Sequence, residues 1–176
     1  IVLALISNFG SLIAVLEPLT FTKIIISNQG YVSIADLNQT YFEDNQWWRT
    51  ITPIFIHFSF AHLVFNCLWI YILGEKIGNI DGSNTFIVLV IFTAILSNLL
   101  QYIFTDSSLF GGLSGVIYGL IGFCMILEFE SKYVRYDLPP AIYLFMIIWL
   151  LLGFIGVLDL FGFGSVANYA HLGGLI

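Results

Sequence analysis

Long apolar runs recur along the chain near 1–16, 57–74, 85–104, 112–130, 139–158 and from about 165 onward, the first two separated by a long mixed stretch and the rest by short ones. A bilayer crossing by a helix needs about 20 apolar residues, and backbone groups in lipid must be satisfied within the segment. The runs lack the alternation of barrel strands, so each is predicted to be a helix. The fold class predicted is an all-α polytopic membrane protein, a six-helix bundle forming a single membrane domain over 1–176. The first and last spans are expected to be incomplete: the chain starts as if already inside a span, without a signal-peptide pattern, and ends five residues after His171. The stretch 17–52 is too long for a turn and mixes apolar pieces with Asn45-Gln46-Trp47-Trp48-Arg49. It is expected to be a structured loop lying partly at the interface, where Trp rings prefer to sit.

Five basic residues set the direction. Lys76, Lys132 and Arg135 follow the second and fourth spans, Lys23 and Arg49 lie in the first loop, and the loops 105–111 and 159–164 have no Lys or Arg. The positive-inside tendency then puts those two loops outside. Spans two, four and six run from outside to inside, and their polar residues fall near their beginnings: His57, His62 and Asn66; Ser114 and Tyr118; Asn168 and His171. The three groups share one depth, which suggests a pocket open to the outer side, since an ionisable residue within a membrane is costly unless it has a function or a partner.

Composition narrows the chemistry. The chain is 59% apolar and 9% charged with a net charge of −6, which leaves no basic face for nucleic acid. Cys67 and Cys124 have no paired spacing, so neither a disulfide framework nor a zinc site is expected. No His-Glu-x-x-His is present, so no metal and no cofactor are predicted.

Ser114 lies in Gly111-Gly112-Leu113-Ser114-Gly115, where a short loop becomes a helix. Gly111, Gly115 and Gly119 form one small-residue stripe and Ala167, Ala170 and Gly174 another, so the fourth and sixth spans are predicted to approach closely. That brings the Ser114 hydroxyl within reach of His171 as its general base. Tyr118, one turn after Ser114, is placed to stack on the imidazole. Asp159 is a less favoured candidate for orienting it. His62 and Asn66, four apart on a helix, offer N–H donors to one small volume, and with the backbone N–H of Ser114 and Leu113 they suit an oxyanion. His57, five before His62, is read as a hydrogen-bonding residue at the helix start. Ser59, Ser97 and Gln101 are candidates for holding water near the site.

In order along the chain, Trp48-Arg49, His57-Phe58-Ser59-Phe60-Ala61-His62-Leu63-Val64-Phe65-Asn66, Gly112-Leu113-Ser114-Gly115-Val116-Ile117-Tyr118 and Ala170-His171-Leu172-Gly173-Gly174 resemble the rhomboid intramembrane proteases of bacterial type. The resemblance spans nearly the whole chain. It implies Ser114 as nucleophile, His171 as base, His62 and Asn66 as oxyanion donors and Tyr118 as support. It also implies a substrate gate formed by the fifth span and fifth loop, around Leu158, Phe161 and Phe163. Substrates would be single-span membrane proteins within the lipid bilayer, and the location a bacterial inner membrane with the active site toward the outer face. One departure is Gly78, where the family often carries a Glu; Glu75 or Asp81 is then expected to partner Arg49. Two other readings are a catalytically inactive relative that binds transmembrane helices and a small transporter or channel. The apolar second halves of spans two and four disfavour the last.

Overall fold

The computed structural model describes residues 1–27, 31–131, 134–157 and 166–176. The long helices are α3 (Phe60–Ile80), α4 (Ser83–Thr105), α5 (Ser114–Glu130), α6 (Pro140–Phe154) and the short α7 (Asn168–Leu175). Among the described residues, α3 and α4 are long and apolar enough to cross a membrane. The run 1–16 is not one helix: it forms α1 (Val2–Ile6) and α2 (Ile13–Leu16). Between them Asn8, Phe9 and Gly10 all take positive φ, a conformation that ends a right-handed helix.

Helix boundaries follow local chemistry. Ser59 caps α3, its Oγ accepting from the His62 N–H at 3.2 Å. Pro139 and Pro140 open α6, where a missing N–H costs nothing. The second span outruns its apolar stretch: α3 continues through Glu75 and Lys76 to Ile80. Lys76 is therefore a helix residue, donating to the Tyr136 carbonyl at 2.7 Å and the Asp137 carbonyl at 3.2 Å.

Helix α5 is the centre of the bundle and touches α3, α4, α6 and α7. Its residues Val116, Ile117, Leu120, Ile121 and Cys124 are almost wholly buried and pack with Leu73 and Ile77 of α3 and Met146 and Leu150 of α6. On the side toward α4 and α7 small residues replace bulk. A Cβ on Gly115 would stand 2.7 Å from Cβ of Ser97, and one on Gly119 would overlap Thr93. Gly111 lies outside this stripe, because α5 begins only at Ser114; it packs instead against Ile56 and Pro53.

The first loop is a built structure. Strands β1 (Ile24–Ile26) and β2 (Val32–Ile34) pair antiparallel, with Ile25 opposite Ser33. Phe21 is buried among the rings of Tyr41, Tyr102 and Phe110, while Trp47 and Trp48 remain half exposed. Arg49, 2% exposed, organises the loop. Its Nη2 pairs with Glu17 Oε1 at 2.7 Å, Nε donates to Gln46 Oε1 at 2.6 Å, and Nη1 donates to the carbonyls of Glu17 and Thr20.

Glu17, not Glu75 or Asp81, is therefore the partner of Arg49. Asp81 instead accepts from Arg135 and, at 2.7 Å, from the Tyr136 hydroxyl. Arg49 is buried but Glu17 keeps 27% of its side chain in solvent, so losing the arginine leaves a partly solvated carboxylate and its other partners without their donor, and a hydrogen bond to a charged group is worth about 1.5 to 3 kcal/mol. Arg49→Ala is expected to lower unfolding stability in detergent by about that amount; a melting temperature equal to that of the unaltered protein would show that the loop does not depend on it.

Candidate active site

The N-terminal ends of α3, α5 and α7 converge. Gly112, with φ of +119°, turns the chain into α5, and its N–H donates to the Pro53 carbonyl at 3.2 Å. Ser114 thereby becomes the first residue of α5, beside N–H groups that have no acceptor within the helix. The aligned peptide dipoles of a 17-residue helix favour negative charge at this end.

His171 comes from α7, which slots between α4 and α5. A Cβ on Gly174 would overlap the Gly115 carbonyl oxygen, so these two helices meet backbone to backbone. The Ala170 N–H in the first turn of α7 is shared between the Ala167 carbonyl and the Gln101 amide oxygen, each at 3.0 Å, which ties α7 to α4. Ser97 Oγ bonds the Ala94 carbonyl of its own helix, and Ser59 is occupied as a cap.

With α7 seated, Nε2 of His171 lies 2.8 Å from Oγ of Ser114, across 57 positions of sequence. The imidazole is 4% exposed. The Tyr118 ring stacks on it with centroids 4.5 Å apart and planes 22° from parallel, and the Tyr118 hydroxyl donates to the Met146 carbonyl of α6 at 2.9 Å. Among the described residues, Nδ1 of His171 is buried without a hydrogen-bond partner. The contact on the imidazole besides Ser114 is therefore the stacked Tyr118 ring, and no carboxylate among the described residues bonds it.

His62 and Asn66 project from the first two turns of α3 toward Gly112. A Cβ on Gly112 would stand 2.6 Å from His62 Cε1, 2.8 Å from His62 Nε2 and 3.4 Å from Asn66 Nδ2. Only glycine leaves room for both side chains two residues before Ser114. Leu113 precedes Ser114 in the same turn.

Helical spacing places His57 away from His62, but the structure brings them together, with ring centroids 5.2 Å apart. The reason is that α3 starts at Phe60, so His57 sits in the preceding turn and does not obey helical periodicity. It is buried and reaches the Asn66 amide nitrogen at 3.1 Å. Gly112 and His57 both stand within the motifs visible in the sequence, yet only the fold reveals what they touch. Leu158, Asp159, Phe161 and Phe163 lie outside the described residues.

Together these groups form a hydroxyl in contact with an imidazole, beside two side-chain donors and a helix N-terminus. That arrangement suits acyl transfer through a tetrahedral oxyanion. Among the described residues no three His, Cys, Asp or Glu side chains gather as metal ligands.

A family model described as the Rhomboid domain matches residues 44–176. Among curated proteins, the rhomboid protease GlpG of Serratia proteamaculans (strain 568) is 37% identical over 131 residues, covering 74% of this chain and 45% of that protein. The rhomboid protease GlpG of Yersinia pestis (strain Pestoides F) is 36% identical with the same coverage. The chain thus spans less than half the length of these relatives.

Proposed function

Since the chain belongs to the rhomboid family of integral membrane proteins, we propose that it is a serine-type endopeptidase cutting membrane proteins inside or at the edge of the bilayer. The observation that carries this reading is the 2.8 Å approach of His171 Nε2 to Ser114 Oγ. In the reaction, the Ser114 oxygen attacks the scissile carbonyl while His171 Nε2 takes its proton. The carbonyl oxygen becomes an oxyanion facing His62, Asn66 and the N–H groups of Leu113 and Ser114. His171 then gives its proton to the leaving amine, and water repeats the cycle on the acyl-enzyme. Each important oxyanion donor is worth about 10² to 10³ in turnover. Tyr118, stacked on the face of the ring, holds the imidazole plane through the cycle, a different contact from the acid that bonds the Nδ1 edge in a Ser-His-Asp triad.

The wider reading follows the apolar runs: one membrane domain over 1–176 with six crossing positions, the site toward the outer face of a bacterial inner membrane, and single-span membrane proteins as substrates. The half-exposed Trp47 and Trp48 support a first loop seated at the interface. The gate suggested for Leu158, Phe161 and Phe163 belongs to this reading as well.

The test is to treat the purified protein in bicelles with a fluorophosphonate probe and, separately, with a single-span reporter. Probe attached to Ser114, mapped by peptide mass, and a reporter cut within or beside its span are the expected results. A folded protein that binds the reporter but neither labels nor cuts would instead be a helix-binding relative without catalysis.

A further inference from the structure

We infer that His57 is a positioning residue whose imidazole sets which way the Asn66 amide faces, and so keeps an N–H of Asn66 turned toward the Gly112–Ser114 turn. The inference rests on the reading of Asn66 as an oxyanion donor.

The imidazole of His57 is 3% exposed and is held from both sides. Nδ1 lies 3.2 Å from the Phe55 carbonyl oxygen, and Nε2 lies 3.1 Å from Asn66 Nδ2. A carbonyl can only accept, so the ring proton sits on Nδ1 and Nε2 presents a lone pair. That lone pair accepts one N–H of the Asn66 amide. The same nitrogen has a second N–H, and the nitrogen itself stands 3.4 Å from the position a Cβ of Gly112 would take, at the turn leading to Ser114.

The alternative amide orientation would put Asn66 Oδ1 against the Nε2 lone pair, two acceptors face to face. Because Asn66 is wholly buried, that mismatch would be costly. An unguided Asn66 could present Oδ1 to the turn, where a developing oxyanion needs a donor. The backbone of the short turn Thr52–Phe55 thus controls a side chain of α3 through a single imidazole. Ser59 caps the same helix from the intervening residues, so the whole entry to α3 is fixed by side chains.

The test uses His57→Leu, which removes the acceptor, and His57→Gln, whose amide oxygen can replace it, each with native Asn66 and with Asn66→Ala. With native Asn66, His57→Leu is expected to lower kcat about tenfold or more with little change in KM, a fraction of a full oxyanion donor. His57→Gln is expected to recover most of that loss. In the Asn66→Ala background His57→Leu is expected to cost nothing further, because coupled residues are non-additive. Equal losses in both backgrounds, or a glutamine no better than leucine, would make His57 a purely structural residue.

A second measurement does not need turnover: ¹⁵N spectra of His57-labelled protein in bicelles are expected to show the ring proton on Nδ1, with Nε2 shifting in Asn66→Ala. A proton on Nε2 would overturn the inference even in an active protein. Absence of fluorophosphonate labelling at Ser114, with the tautomer as expected, would instead sink the protease reading and leave the His57–Asn66 contact standing.

Discussion

Cleavage of a single-span reporter is expected to fall about 10⁴- to 10⁶-fold in Ser114→Ala, with a similar loss in His171→Ala, because members of such a pair act as one unit. The double variant is expected to be no worse than either single one. Ser114 is the first residue of α5, half-buried, and its hydroxyl does not cap the helix, so alanine there leaves the helix intact. Melting temperatures close to that of the unaltered protein are therefore expected. Rates measured at matched folding decide the matter: a Ser114→Ala protein retaining a tenth of the activity would show that another group delivers the nucleophile. If His171→Ala alone kept activity, the 2.8 Å contact would be a packing feature of the α5–α7 seam.

Much of this site could be read before the fold, because membrane sequences confine polar residues to places where something holds them. Ser114, His171, His62 and Asn66 each stand out against apolar neighbours, and the small residues around Gly115 and Gly174 announce a close helix approach. What stayed hidden depends on where helices begin. His57 was legible as a hydrogen-bonding residue at the helix start, but its closeness to His62 and Asn66 was not, because the apolar pattern runs smoothly through 57–74 whereas the backbone turns helical only at Phe60. Gly111 joined the wrong stripe for the same reason, three residues before α5. The break in 1–16 is equally invisible to hydropathy, since Phe9 is apolar but takes a positive φ.

Partner choice was hidden too. Arg49 finds Glu17 from 32 residues away, across a loop held by strands, turns and ring contacts that spacing alone does not determine. Asp81, the more obvious acid, is already committed to Arg135 and Tyr136 at the other end of α3.

Gly174→Ala is expected to inactivate the protein nearly as fully as loss of a catalytic side chain, although residue 174 carries no chemistry. The added methyl would overlap the Gly115 carbonyl oxygen and stand 2.8 Å from its carbon. Both atoms belong to the backbone of the buried first half of α5, so neither can rotate away. Helix α7 must therefore withdraw from α5, and His171 travels with it. A displacement of about 1 Å costs about 10²-fold in a reaction that depends on alignment, and overpacking itself costs about 1 to 3 kcal/mol of stability. Gly78→Ala is the matched control: its Cβ would meet nothing within 4 Å, and in a helix interior it is expected to be neutral or to stabilise by up to about 1 kcal/mol. Reporter cleavage and thermal unfolding of both variants separate the two effects. A Gly174→Ala protein that melted lower yet cut at the normal rate would mean that α7 shifts along its seam without moving His171 from Ser114. Lost cleavage with only a modest fall in melting temperature would place the requirement in the alignment of two residues brought together by two bare helix faces.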